Sequence, residues 1–258
     1  MKLKDKVAIV TGGAQGIGRA YALRFAEEGA AVAIVDLRED GAKKVEAEIA
    51  EKGGRAVAIK ADVSSEESTN DMAKQVHDRF GRIDILMNNA AIYYDMDLTD
   101  SSIEYLRKML DVNLLGILIC GRAVFSYMRE VGGGSIINIS STAAYPLPMP
   151  GMPVAENFGN YAYGLAKSGV IFLTKNMART GGPHNIRVNA IAPGVTMSEA
   201  TKKVVPDGII EMLKAGASLG STLEPWDLTG TAVYLASEDS KMMTGQTLVV
   251  DAGVWMNG

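Results

Sequence analysis

Short apolar runs alternate with amphipathic stretches along the 258 residues of the chain. Residues 7–10, 31–35, 56–59, 83–87, 135–139, 187–191 and 247–250 are apolar or β-branched and bounded by turn residues. That is the pattern of strands covered on both faces. Helical periodicity occupies the intervals 17–28, 40–52, 66–80, 102–129 and 161–180, with a further candidate at 225–236. Strand–helix alternation at this spacing, with right-handed crossovers, predicts an α/β fold: a doubly wound parallel sheet with helices on both faces. No internal repeat or linker interrupts it, so residues 1–258 read as a single domain.

Two stretches break the rhythm. Residues 145–160 hold four of the eight prolines (Pro146, Pro148, Pro150 and Pro153), which remove backbone donors and favour extended turns. Residues 196–221 carry helical patches broken at Pro206-Asp207-Gly208 and at Gly216. They form either a mobile substrate lid or an ordinary surface excursion, and periodicity does not separate the two.

Composition narrows the classes. Hydrophobic residues at 47% and charged residues at 22% suit a globular chain with a substantial core. A net charge of −4 without a long basic stretch argues against nucleic acid or an anionic membrane as partner. The single Cys120 excludes an internal disulfide framework and a multi-cysteine metal site, and its apolar surroundings read as those of a buried thiol. His77 and His184 show no ligand spacing, so no metal is expected. No signal pattern precedes the first strand and no apolar run approaches membrane-spanning length, so a cytoplasmic location is expected.

Two motifs carry chemistry. Thr11-Gly12-Gly13-Ala14-Gln15-Gly16-Ile17-Gly18 follows the first strand and opens a helix. Glycines there permit a tight turn and close backbone approach to a pyrophosphate, whose charge the helix N-terminus favours. Asp36 ends the second strand, where a carboxylate can accept ribose hydroxyls and repel a 2′-phosphate. Further on, Tyr163 and Lys167 stand at i and i+4, which puts a phenol and an ammonium on one helical face.

Together these motifs resemble the classical short-chain dehydrogenase/reductase family. The resemblance runs through Asp62-Val63, Asn88-Asn89-Ala90, Asn113, Ser140-Ser141 and Asn189-Ala190-Ile191-Ala192-Pro193-Gly194 to Thr244-Gly245-Gln246-Thr247-Leu248-Val249-Val250-Asp251. It implies a Rossmann-type sheet of about seven strands, usually in a homotetramer or dimer. It also implies an NAD site at Gly12, Gln15, Gly16, Ile17, Gly18, Asp36 and Leu37, with Asp62 and Val63 near the adenine and Asn89-Ala90 beside the ribose. Pro193, Val195 and Ser198 would lie near the nicotinamide. Tyr163 would be the general acid/base and Ser141 would bind the substrate oxygen. Lys167 would hold the nicotinamide ribose and lower the Tyr163 pKa, and Asn113 would position a relay water.

Departures are Ala91 and Ala252, where glycine is common, Ala166 where many members have serine, and an unusually long interval from Ser141 to Tyr163. The last leaves Ser140 as an alternative to Ser141. The implied reaction is hydride transfer between NAD and a secondary alcohol or ketone with a bulky apolar portion, aromatic or alicyclic. A 3-oxoacyl thioester reductase and a dinucleotide sensor without turnover are the rivals. Asp36 weighs against the first, because such reductases generally use NADPH, and the intact acid/base set weighs against the second. The pocket walls are expected from Tyr93, Tyr94, Met96, Tyr145, Leu147, Met149, Met152, Phe158, Met197 and Met212.

Overall fold

In a computed structural model, residues 1–93, 100–145 and 161–256 are described. The apolar runs become strands β1 (Val7–Thr11), β2 (Ala31–Asp36), β3 (Arg55–Lys60), β4 (Ile85–Asn88), β5 (Gly134–Ile139), β6 (Ile186–Pro193) and β7 (Thr247–Val250). They form one sheet in the order β3-β2-β1-β4-β5-β6-β7, with every pairing parallel. The helices are α1 (Gly16–Glu27), α2 (Glu39–Glu51), α3 (Glu66–Phe80), α4 (Ile103–Leu110), α5 (Gly116–Glu130), α6 (Ala162–Gly181), α7 (Glu199–Val204), α8 (Asp207–Gly216) and α9 (Thr229–Ala236). This is the doubly wound arrangement that the alternation predicts. The chain reverses its winding direction between β1 and β4, which opens a crevice beyond their carboxyl ends.

Strand parity builds the two layers. Ala8, Val10, Val32 and Ile34 pack with Tyr21, Phe25, Val45, Ile49 and Leu235, hence against α1, α2 and α9. Their neighbours Val7, Ile9, Ala33 and Val35 pack with Met72, Val76, Cys120, Val124 and Met128, hence against α3 and α5. Cys120 is fully buried there, and burial pushes its thiol up to about 12. A buried polar ladder also crosses the layers. Asn88 Nδ2 donates to Asn138 Oδ1 at 2.9 Å, and Asn138 Nδ2 donates to Thr174 Oγ1 at 3.0 Å.

The interval expected as one helix at 102–129 is interrupted by a π-helical turn at Asp111–Leu115 between α4 and α5. Single π turns inside helices are frequent at functional sites, and this one carries Asn113. The combined helix Ile103–Glu130 is 28 residues long and apolar enough, by length and composition, to cross a membrane. That corrects the expectation that no run reaches such length. In this fold the α5 side chains pack on the sheet and on α3, while α4 and the π turn pack Met109, Leu106, Leu110 and Leu114 against Ala162, Tyr163 and Ala166 of α6.

Residues 196–221 supply α7 and α8, and the break falls at Val205-Pro206 instead of extending through Gly208. The proline-rich stretch 146–160, with Leu147, Met149, Met152 and Phe158, lies outside the described residues, as do Tyr94 and Met96.

Ala252 adopts φ +59°, in the left-handed region, where a Cβ costs about 1–2 kcal/mol. Ala252→Gly relieves that strain but gives up one methyl contact and adds about 0.4–1 kcal/mol of unfolded-chain entropy, so the two sides should nearly cancel, to within about 0.8 kcal/mol. Calorimetry should show Tm within about 3 °C of wild type; a fall of more than that would mean that no strain is stored there.

Candidate active site

The crevice between β1 and β4 widens into a cleft of about 1320 Å³. Its floor is the glycine loop. Gly12 and Gly16 hold φ +63° and +53°, and a Cβ at Gly18 would lie 2.0 Å from the Gly12 carbonyl. No larger residue fits without moving backbone. The amino end of α1 that this loop presents has no side-chain cap and no acidic residue in its first turn, so its N–H groups and dipole suit a phosphate. The residues present fit a dinucleotide.

Thr11 and Asn89 lock the loop to β4. Thr11 Oγ1 accepts the N–H groups of Asn89 and Ala90 at 3.0 and 3.1 Å, while Asn89 Nδ2 donates to the carbonyls of Thr11 and Gly12 at 3.1 Å. Asp36 accepts the N–H of Ala14 at 3.1 Å and of Arg38 at 3.0 Å, and the Arg38 guanidinium lies 3.7 Å away. Asp62 caps its own turn by accepting from Ser64.

At the other end of the cleft, α6 docks on the end of β5 through a reciprocal pair of bonds. Ser140 Oγ donates to the Lys167 carbonyl at 2.8 Å, and Lys167 Nζ donates to the Ile139 carbonyl at 2.8 Å. Ser140 is thereby committed to the helix backbone, whereas Ser141 lines the cleft and is a hydrogen-bond partner of the Tyr163 hydroxyl. The Lys167 ammonium sits 5.7 Å from the centroid of the Tyr163 ring.

Apart from Asn113, every site residue expected from the sequence lines this one cleft: Gly12, Gln15, Gly16, Ile17, Gly18, Asp36, Leu37, Asp62, Val63, Asn89, Ala90, Ser141, Tyr163, Lys167, Pro193, Val195 and Ser198. Asn113 is fully buried beside it. Its Oδ1 accepts the Ile92 N–H at 2.7 Å and its Nδ2 donates to the Ile92 carbonyl at 3.3 Å, so it anchors the segment after β4. Among the described residues no group of His, Cys, Asp and Glu is arranged to hold a metal ion.

The electrostatics differ from the expectation that Lys167 lowers the Tyr163 pKa. Burial pushes the Tyr163 phenol well above its usual value and Tyr93 adds to that, while Ser141 pulls the other way. Burial also brings the Lys167 ammonium down to about 8. Desolvation outweighs the mutual attraction that the i, i+4 spacing suggested.

The substrate end is apolar. Tyr93 lines it, as expected, but α8 contributes Ile209 and Leu213, with Val205 before it, where Met197 and Met212 were expected. Val254 adds a wall from the C-terminal segment. That segment is tied to the chain after α8 by the Ser218 and Leu219 N–H groups, which donate to the carbonyls of Gly253 and Ala252. Tyr145 turns aside and stacks on Trp255, with centroids 5.3 Å apart. Thr201, Leu213 and Val254 were not singled out by sequence. Only Thr201 carried a signal, the Ser198-x-x-Thr201 spacing of an N-cap.

Comparison with known proteins gives a consistent picture. The family model described as Enoyl-(Acyl carrier protein) reductase matches residues 12–255. An uncharacterized oxidoreductase of Mycobacterium tuberculosis is 43% identical over 252 residues, 96% of this chain and 97% of that one. A 2,5-dichloro-2,5-cyclohexadiene-1,4-diol dehydrogenase of Sphingobium indicum is 38% identical over 257 residues, 100% of this chain and 98% of its own. A 3-oxoacyl-[acyl-carrier-protein] reductase of Synechocystis is 35% identical over 256 residues, 98% of each chain. Among solved structures, 7α-hydroxysteroid dehydrogenase complexed with NADH and 7-oxo glycochenodeoxycholic acid superposes with a TM-score of 0.89 at 32% identity, covering 98% of this chain and 95% of that one.

The buried ammonium has a thermodynamic signature. Unfolded, Lys167 keeps its proton to about 10.5, whereas folded it keeps it only to about 8. Between those values folding releases a proton, so stability rises with pH there, and below pH 8 the full penalty of the buried charge is felt. Lys167→Met should accordingly raise the Tm of the cofactor-free protein at pH 7, and its advantage over wild type should shrink between pH 8 and 10.5. A Tm difference that is flat across that window would refute the assignment.

Proposed function

The chain belongs to the short-chain dehydrogenase/reductase family of oxidoreductases, and on that footing we propose that it moves a hydride between NAD and a secondary alcohol or its ketone whose carbon skeleton is bulky and apolar. The observation that carries this reading is the pairing of Tyr163 with Ser141 in the cleft that also holds the glycine loop. In the direction of oxidation, Ser141 holds the substrate oxygen while Tyr163 takes the hydroxyl proton. When bound, oxidised NAD supplies the hydride acceptor and a positive charge beside the phenol. Lys167 holds the nicotinamide ribose and adds its own charge. One ammonium at 5.7 Å from the ring stabilises a phenolate by about 3 kcal/mol at an effective dielectric of 20.

Lowering a phenol from its usual value to about 7 takes roughly 4 kcal/mol. Without the cofactor, Tyr163 stays protonated; the bound nicotinamide charge and the Lys167 ammonium both favour the phenolate and act against the burial that raises the phenol. Asn113 keeps the segment after β4 in register and positions the relay water. Residues 196–221 act as a mobile lid over the substrate.

Apolar Tyr93, Val205, Ile209, Leu213 and Val254 support a hydrocarbon substrate. The Synechocystis relative keeps a 3-oxoacyl thioester reductase in view, but Asp36 opposes the NADPH that such enzymes generally use. Exposed Leu165 and Phe172, seven residues apart on α6, support association with further copies into a homotetramer.

Two experiments test this reading. With NAD and a panel of aromatic and alicyclic secondary alcohols, absorbance of reduced nicotinamide should rise for wild type, and Tyr163→Phe should fold normally while kcat falls ~10²–10⁴-fold. A Tyr163→Phe protein retaining more than about a tenth of kcat would sink the mechanism, and better turnover of small polyols would sink the substrate class. Asp36 should favour NAD over NADP by ~100-fold or more, since like charges ~4–5 Å apart repel by roughly 3–4 kcal/mol at that dielectric. Asp36→Ala should narrow the preference, whereas equal kcat/KM for both cofactors in wild type would refute the assignment.

A further inference from the structure

Tyr93 stands where three parts of the site meet. Its ring packs on the ring of Tyr163, with centroids 5.5 Å apart and planes 58° from parallel. Its hydroxyl is hydrogen-bonded to the side chain of Thr201 on α7. The residue before it, Ile92, has both backbone polar groups held by the Asn113 amide, so the base of this arm is fixed. Thr201 is buried, and it is joined in turn to Ser198, which caps α7: the two hydroxyls are 3.1 Å apart, and the Thr201 N–H donates to Ser198 Oγ at 3.2 Å. Ser198 and Glu199 face the glycine loop, since a Cβ built on Gly16 would meet Ser198 Cβ at 3.5 Å and a Glu199 carboxylate oxygen at 3.7 Å. One hydroxyl contact therefore connects the wall beside Tyr163 to the helix that overhangs the pyrophosphate loop.

We propose that Tyr93 is a positioning residue that latches α7 over the bound cofactor. The inference deepens the dehydrogenase reading and rests on it for the identity of the cofactor. The Tyr93 ring supports Tyr163, and the Tyr93 hydroxyl holds the first turn of α7, so the two contributions separate by substitution. Tyr93→Phe removes the latch and keeps the support. Tyr93→Leu removes both.

The test uses the holoenzyme and two readouts that require no alcohol turnover. NADH dissociation is measured by stopped-flow displacement, and trypsin cleavage after the exposed Lys202 and Lys203 of α7 is followed in saturating NADH. Tyr93→Phe should release NADH roughly three- to tenfold faster, the worth of one neutral hydrogen bond, and be cleaved correspondingly faster. In steady state the loss should fall on KM more than on kcat, with the alkaline limb of the pH profile unmoved, while Tyr93→Leu should also lower kcat and shift that limb. Thr201→Val should reproduce Tyr93→Phe, Thr201→Ser should restore wild-type release, and the double variant should be no worse than either single one. Wild-type release and cleavage in Tyr93→Phe, or additive effects in the double variant, would overturn the latch. A Tyr163→Phe protein that stayed active would overturn the dehydrogenase reading while leaving these two readouts intact, so the failures are distinguishable.

Discussion

Lys167 carries an ammonium group into the interior because the end of β5 leaves a carbonyl there to receive it. The bond to Ile139 and the returning bond from Ser140 to the Lys167 backbone clamp strand and helix together at two points. Burying a charge is expensive, and this clamp satisfies only part of the need. The expense is nevertheless what makes the site. A lysine held this way cannot swing into solvent, α6 cannot rotate or slide on β5, and the phenol one turn earlier on α6 is delivered to the side chain of Ser141. The ladder Asn88–Asn138–Thr174 works at the next level down, fixing β4, β5 and α6 to one another with bonds that an apolar core could not supply.

Most of the architecture was legible because parallel strands buried on both faces leave an unmistakable mark. Runs such as Val7–Thr11 and Ala31–Asp36 are apolar without alternation, and only a doubly covered sheet can use them. The glycine loop was legible for a related reason: Gly12 and Gly18 occupy places that backbone alone can fill, so their identity is dictated by contact distance. The π turn at Asp111–Leu115 was not legible. It adds one residue to a helix without altering the apolar period on either side, and the contact made from it, the Asn113 amide to the Ile92 backbone, spans 21 residues of chain.

The pocket walls were harder still. Helices α7 and α8 have short apolar faces, and which residues face the cleft depends on how the pair is docked. Hence Ile209 and Leu213 stand where Met197 and Met212 were expected. The electrostatic expectation failed in an instructive way. Spacing along α6 correctly brings phenol and ammonium together, but a sequence does not state how much water remains around them, and desolvation sets the direction of both shifts. Tyr93 was visible only as an aromatic beside the pocket. Its bond to Thr201 joins segments more than a hundred residues apart, and no local pattern announces such a meeting.

The tie between the C-terminal segment and the chain after α8 has a bearing on how such a protein changes over generations. Backbone bonds from Ser218 and Leu219 to Gly253 and Ala252 make two walls of the substrate pocket into one unit. The glycine loop, Asn89 and Asp36 belong to a different part of the chain and are braced by different bonds. Mutations that resize the unit leave the bonds of the glycine loop, Asn89 and Asp36 untouched, and those that alter one wall carry the other with them. Lineages built on this plan are free to acquire new substrates in steps, each intermediate still able to bind its cofactor.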